Sequence, residues 1–519
     1  SLSVIRAALN NLKTEDITRD FLRTDPTQDQ ATINTLARGD TLGVFYIESP
    51  AMRQLQKKTG RGDFDHIVIH SSIIRPAANR FIEEYVRRLK GGAYQILHPR
   101  LETILAETYG IMCYQEDVSK VAVALASFSE ADADALRKVI AKKAGGKKLA
   151  AFKDAFYKGC QHNQIPLAVI DAVWAMMLSF DGYSFNKPHS ASYAMVSFQS
   201  AYLRVHYPAY FMAAVLSNQG GYYHPLAYIS ECRRMGLQVS GPDVNRSQYR
   251  YYGSGTEVVV GLMAIGGLGK NTAEQLLAER ERRGPFQSLQ DFTRRLRISR
   301  DELATMTRAG LFDSISALSR PLQFRVLLTA HEKTYELELF SAAEPEPSEY
   351  GSRRNLNVKN QEAPLDLEAR IQEFETLGFL RSGHPIELWN AKQALSGIQR
   401  IFGADLSAHV GRRVRLLGWP ITRKDVWTLH GETMTFISYE DETALYEAVL
   451  FPPVYQKYRA ILFDIQPFLL TGLVTQQQGA ISLELEHIEK ILPDKVKNAQ
   501  NSMKTTPSLG MPAFGSLPV

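Results

Sequence analysis

Cysteine is scarce in this chain. Cys113, Cys160 and Cys232 are the three among 519 residues, far apart and without a CxxC pair, which excludes a zinc site or a disulfide framework and suits a reducing compartment. Net charge is small too. At +5 it creates no global field, so any affinity for an anionic polymer must come from local patches. A clean apolar span is also missing: the longest apolar run, residues 194–217, is interrupted by Arg204, His206 and Pro208. The start, SLSVIRAALNNLKTEDI, has no signal-peptide layout. These absences predict a cytoplasmic protein with no membrane partner. Hydrophobic content of 45% and charged content of 22% describe an ordinary globular chain, and its length implies three or four domains rather than one core.

What is present concentrates between Tyr109 and Ala214. Apolar residues recur there at helical spacing (Val118, Val121, Ala122, Leu125; later Ala194, Val196, Phe198, Ala201, Tyr202). Between the two apolar blocks lie Arg137, Lys138, Lys142, Lys143, Lys147, Lys148, Lys153 and Lys158. An apolar scaffold presents cations to something anionic. Phe185-Asn186-Lys187-Pro188-His189-Ser190 sets an ammonium and an imidazole two residues apart beside a proline, a layout suited to a triphosphate or a backbone phosphate. Alone it reads rather as a helix start capped by Ser190 with a solvated Lys187. Together with the upstream cations it reads as a phosphate funnel.

The segments GVFYIESPAMRQL (43–55), SSIIRP (71–76), ETYGIMCYQEDV (107–118), LRKVIAKK and FNKPHSASYA, in this order and spacing, resemble the fingers of the bacterial C-family replicative polymerases, the DNA polymerase III alpha subunits. The resemblance implies template-directed nucleotidyl transfer, with dNTP and primer-template DNA as partners. It implies that Arg75, Arg137, Lys138, Lys142, Lys143, Lys187 and His189 neutralise phosphates and that Tyr193 packs near the nucleotide or in the core. Where the family continues Arg-Pro with Gly-Pro, this chain has Ala77-Ala78-Asn79, which leaves the replicative or error-prone branch open. In the family a palm with three catalytic aspartates holds Mg²⁺ and precedes the segment corresponding to Ser1. No palm-like motif is legible here, so no tightly bound cofactor is expected and a palm-bearing portion of the polymerase is an implied partner. The Asp132-Ala133-Asp134 pair reads as the first turn of a helix capped by Ser129 rather than as a metal site. The apolar face Leu2, Val4, Ile5, Ala8 and Leu9 reads as though cut from something longer.

The fold class expected is multidomain and mainly α, fingers and tandem helix-hairpin-helix, followed by a small β-barrel of OB type. Fingers are assigned to 1–235, within which IVIHSSII reads as strand-like and Arg80–Lys90 as a helix. The helix-hairpin-helix domain is assigned to 236–330. There Gly266, Gly267, Gly269 and Lys270 form a glycine-rich turn at a helix start, offering amides to duplex phosphates, with Arg280, Arg282, Arg283, Arg294, Arg295 and Arg297 nearby. Residues 331–364 are read as clamp-binding segment and linker: Glu336, Leu339 and Phe340 resemble the sliding-clamp peptide of bacterial polymerases, with Glu336 where Gln is usual, and read otherwise as the end of an amphipathic helix. A helical connector covers 365–410. Residues 411–492 show five alternating segments with a helix after the third, the OB pattern, and Trp419, Arg423, Lys424, Trp427 and Phe436 are the candidates for single-stranded template DNA. The tail, 493–519, reads as disordered, with no further domain for the clamp-loader subunit. Two other readings stay open: a non-catalytic DNA-binding and clamp-tethering protein, and a single-strand-binding protein resting on the barrel alone.

Overall fold

The computed structural model describes residues 2–12, 21–74, 79–142, 146–180, 186–340, 367–389, 400–428 and 430–491. Its first half is helical and has two cores. One gathers Ile5, Val44, Ile67, Phe198 and Phe211 around the central helix Lys187–His206 and the following helix Pro208–Asn218. The other gathers Leu101, Val121, Leu136, Phe156 and Trp174 from the helices Gln115–Ala126, Glu130–Ala141, Lys147–His162 and Leu167–Leu178. Pro50 starts the helix Pro50–Thr59 and left-handed Gly60 (φ 65°) ends it, as the sequence suggested. The strand expected at IVIHSSII is instead the helix Phe64–Ile73, started by Asp63, whose carboxylate accepts from the His66 N–H. Residues 67–73 are all buried, so this helix carries no amphipathic stripe by which periodicity could reveal it. Ile5 and Ala8 of helix Leu2–Leu12 are buried in the first core, whereas Leu2 is exposed.

A small sheet follows, of β1 (Gln238–Ser240), β2 (Tyr252–Ser254) and β3 (Glu257–Val259), with β3 central. It leads into the helices Lys270–Arg283, Leu289–Arg295 and Arg300–Arg308, packed through Phe286, Phe292 and Phe312. The helix Arg320–Phe340 comes next.

The remaining unit is a closed barrel of β4 (Arg413–Trp427), β5 (Thr433–Glu440), β6 (Leu445–Leu450), β7 (Phe468–Gln477) and β8 (Ala480–Lys490). Its order is β4-β5-β6-β8-β7, with β6 and β8 parallel and every other pair antiparallel. The helix Pro452–Tyr458 lies between the third and fourth strands, which completes the OB pattern. Gly418 permits closure: a Cβ there would stand 2.5 Å from Leu470 and 2.8 Å from the Tyr446 hydroxyl. Among the described residues no helix is long and apolar enough to cross a membrane.

Candidate nucleotide and nucleic-acid interface

The start of helix Lys187–His206 is capped by Asn186, whose Oδ1 accepts from the His189 N–H at 2.8 Å, and Pro188 sits in its first turn. Ser190, a cap candidate from the sequence, is instead buried one turn in and bonded to Ser72 at 2.7 Å. Lys187 and His189 are exposed at this end, and Tyr193 lies one turn behind with its ring 4.3 Å from that of His189. Tyr193 also meets the rings of Phe45 (5.3 Å) and Tyr46 (5.0 Å) edge-on. The Phe45 carbonyl accepts from Ser197 Oγ, and Ser200 Oγ accepts from the Phe45 N–H, so the turn 43–49 is pinned along the helix. Two motifs 148 residues apart in sequence, by the spacing of Phe45 and Tyr193, thereby meet as one aromatic and basic surface.

The ETYGIMCYQEDV segment supplies the opposite wall. Lys187 Nζ lies 2.5 Å from Glu107 Oε2 and 5.3 Å from the centre of the Tyr114 ring. Asp117 is structural: its carboxylate accepts from the Cys113 and Tyr114 N–H groups at 2.9 Å each. Burial pushes its acid up to about 6, against the pull of those amides. Glu48, half-buried, accepts from the N–H groups of Gly43 and Tyr222 and from the Tyr228 hydroxyl, and desolvation raises its acid as well. Arg137 and Lys138 both reach Asp134 of their own helix, at 2.7 Å, and Lys142 is exposed at that helix's end. Asp132 bonds Ser129 at 2.6 Å, so neither acid of that pair offers a carboxylate free of a structural partner. Arg75 and Lys143 lie outside the described residues.

In the glycine-rich turn, Gly267 has φ +85°, a backbone state that suits glycine. Two of the amides assigned to phosphate already have partners. The Gly266 N–H donates to the Thr376 carbonyl at 3.0 Å and the Gly269 N–H to Glu302 Oε1 at 3.1 Å. Lys270 stands 3.5 Å from Glu274. The neighbouring arginines divide. Arg295 is buried against Phe286, Glu279 and Asp291, a packing role and a correction to its assignment, whereas Arg282, Arg283 and Arg294 keep exposed side chains.

On the barrel the five candidates do not form one site. Trp419 is 2% exposed and packs edge-on against Phe374 and Trp389, so it is a core residue and its assignment to DNA is overturned. Beyond it β4 continues along β5, with Lys424 paired with Phe436 and Trp427 with Thr433; β6 pairs with β5 as far as Thr435, so the two strands run on alone as a ribbon tip at Val426–Met434 and Trp427–Thr433. Alternation puts Arg423 and Trp427 on one face and Lys424 and Phe436 on the other. Trp427 is 78% exposed. Phe463, which the sequence reading passed over, is 71% exposed with the Arg423 guanidinium 4.0 Å from its ring centre. It follows the helix in a segment without strand alternation, and its one sequence signal was an aromatic beside Asp464 with no apolar partner in register.

Glu336, Leu339 and Phe340 close the helix Arg320–Phe340, and their side chains lie outside the described residues.

Comparison with known proteins agrees with this layout. Residues 1–164 match the bacterial DNA polymerase III alpha subunit finger domain, and residues 236–321 match the helix-hairpin-helix motif. The DNA polymerase III subunit alpha of Borreliella burgdorferi is 29% identical over 517 residues, covering 96% of this chain and 44% of that protein. That of Mycobacterium tuberculosis is 31% identical over 505 residues (93% and 42%), and that of Pseudomonas aeruginosa 30% over 515 (91% and 42%). The chain therefore spans less than half the length of these curated relatives. Order of motifs, fold and matched regions together make the chain similar to the bacterial DNA polymerase III alpha subunits over more than nine-tenths of its own length, with their finger domain matched at residues 1–164.

Proposed function

We infer that this chain supplies the nucleotide-holding and DNA-holding part of template-directed 5'-3' DNA synthesis by a DNA-directed DNA polymerase, in cytoplasmic replication or repair. The observation that carries the reading is the meeting of Lys187, His189 and Tyr193 with the 43–49 turn at one helix start. Lys187 and His189 take the triphosphate of a dNTP, Arg137, Lys138 and Lys142 take template or primer phosphates, and Tyr193 backs the nucleotide. Arg75 and Lys143 join them by resemblance. These groups position charge and make or break no bond.

Magnesium would supply the metal-assisted displacement in such a polymerase. Asp132 and Asp134 do not fit it, since Ser129, Arg137 and Lys138 hold them. Its ligands are therefore assigned to a palm-bearing portion of the polymerase.

Downstream, the turn Gly266–Lys270 with Arg282, Arg283 and Arg294 meets the duplex, and the ribbon with Arg423, Trp427 and Phe463 stacks single-stranded template, with Lys424 and Phe436 on its reverse. Glu336, Leu339 and Phe340 are the segment offered to a sliding clamp. The alternative, a non-catalytic DNA-binding and clamp-tethering protein, uses the same duplex and strand surfaces without the nucleotide site. The test is binding of a labelled primer-template across a salt series, run beside primer extension with all four deoxynucleotides. Affinity should fall steeply with salt, with a log-log slope of about −4 or steeper for five or more phosphates neutralised. A flat salt response would contradict the duplex reading.

A further inference from the structure

We propose that Glu107 sets nucleotide affinity by acting as the counter-ion that an incoming triphosphate must displace from Lys187. This rests on the reading of that helix start as the nucleotide phosphate site.

Three donors at this helix start already have oxygen acceptors within the protein. The Lys187 ammonium is 2.5 Å from Glu107 Oε2, the Lys187 N–H donates to Glu116 Oε2 at 3.3 Å, and the His189 N–H donates to Asn186 Oδ1 at 2.8 Å. The arrangement is that of an anion site filled by the protein's own oxygens, two carboxylates on Lys187 and the Asn186 carboxamide on His189. Both partners of the Glu107 pair are half-exposed, 48% and 49%, so the pair is screened by water and weak enough to exchange. It joins residues 80 apart on separate elements, and it lies beside the Tyr114 ring, which holds the ammonium in place by its face. A triphosphate carries more negative charge than one carboxylate and draws on the same ammonium and helix dipole, so it replaces Glu107. Glu107 acts through Lys187 and is a positioning residue. Its interaction is made before the nucleotide arrives and is lost on loading, so it weakens ground-state binding and leaves later steps alone.

The experiment is calorimetric titration of the full chain with dATP on a primer-template whose next template base is thymine. Glu107→Gln should tighten dATP about three- to fivefold, the yield expected from removing one exposed ion pair. Glu107→Thr should give the same gain through a different side chain, and Glu107→Asp should stay near the parent. Lys187→Met should weaken dATP at least about tenfold, as for loss of one charge-assisted contact. A purely structural Glu107 would produce lower melting temperature and weaker binding, the opposite direction. If Lys187→Met weakens dATP while neither Glu107→Gln nor Glu107→Thr tightens it, the counter-ion role is overturned and the phosphate site stands. If Lys187→Met changes nothing, the phosphate site itself falls, and the role of Glu107 with it.

Discussion

Asp117 shows how one residue in a functional motif serves the fold. It is a buried acid held at about 6 by desolvation, and it fixes the turn that carries Tyr114 by accepting two amides. A carboxyl raised in the folded state binds its proton more tightly there than in the unfolded chain, so its contribution falls as pH rises from about 4 through about 6 and is constant above. The span corresponds to about 2 to 3 kcal/mol at full effect. Asp117→Asn, whose amide oxygen can accept the same two N–H groups, should abolish that part of the decline. Chemical denaturation at pH 4.5 and pH 7.5 checks it: the difference between variant and parent should grow in the variant's favour at the higher pH. An equal difference at both values would contradict the assignment. At this scale the sequence was partly legible. Residue types singled out Lys187 and His189 as candidate phosphate contacts, but the acids beside them, Glu107 and Glu116, lie about 70 to 80 residues earlier and no local pattern links them to that helix start.

Among the elements, β4 carries one tryptophan in the core and one in water. Trp419 and Trp427 are eight positions apart on one strand, one enclosed by Phe374 and Trp389 and the other in water. Trp419→Ala should lower stability by about 3 to 5 kcal/mol, the usual result of emptying a large core site, while leaving the folded protein's affinity for an oligodeoxythymidine near that of the parent. Trp427→Ala and Phe463→Ala should leave stability close to unchanged and weaken that oligonucleotide by about 1 to 3 kcal/mol each. Fluorescence anisotropy and thermal melts read the two effects separately, and loss of affinity in Trp419→Ala alone would reverse the assignment.

The elements themselves were largely legible where pattern and caps agree. Alternation revealed the barrel strands, Pro50 and Gly60 bracketed their helix, and Ser129 with its acids marked the start of Glu130–Ala141. The failure at 64–73 has a physical cause. Ile67, Val68, Ile69 and Ile73 favour strands by residue type, and a helix buried on every side gives no stripe to correct that impression. The ribbon failed differently. A register irregularity between Pro420 and Thr422 decides which side chains share a face, and this cannot be counted from spacing.

Across the whole molecule, the helical half and the barrel are joined by buried ionic contacts rather than by apolar surface alone. Glu440 of β5 accepts from Ser230 at 2.9 Å, meets His384 at 3.1 Å and faces Arg234 at 3.4 Å. Arg234 continues to Glu231, which pairs with Arg204 of the central helix. Burial alone would raise the Glu231 acid, but Arg204 and Arg234 hold it down at about 2. The chain of charges runs from the barrel to the helix whose far end carries Lys187 and His189, and it ties β5 to that helix through buried, mutually compensated groups. Little of this was visible in the sequence, because each partner is distant in the chain and each alone is an ordinary surface-type residue.

The central claim is that the start of helix Lys187–His206 holds the incoming nucleotide. The most direct measurement is photocrosslinking of a γ-phosphate azidoanilide of dATP to the full chain on a primer-template calling for adenine, followed by peptide mapping. The account predicts labelled peptides from residues 186–193, with competition by unmodified dATP and loss of labelling in Lys187→Met. Labelling confined to the barrel or to the helix Arg320–Phe340, or labelling that survives Lys187→Met, would contradict it.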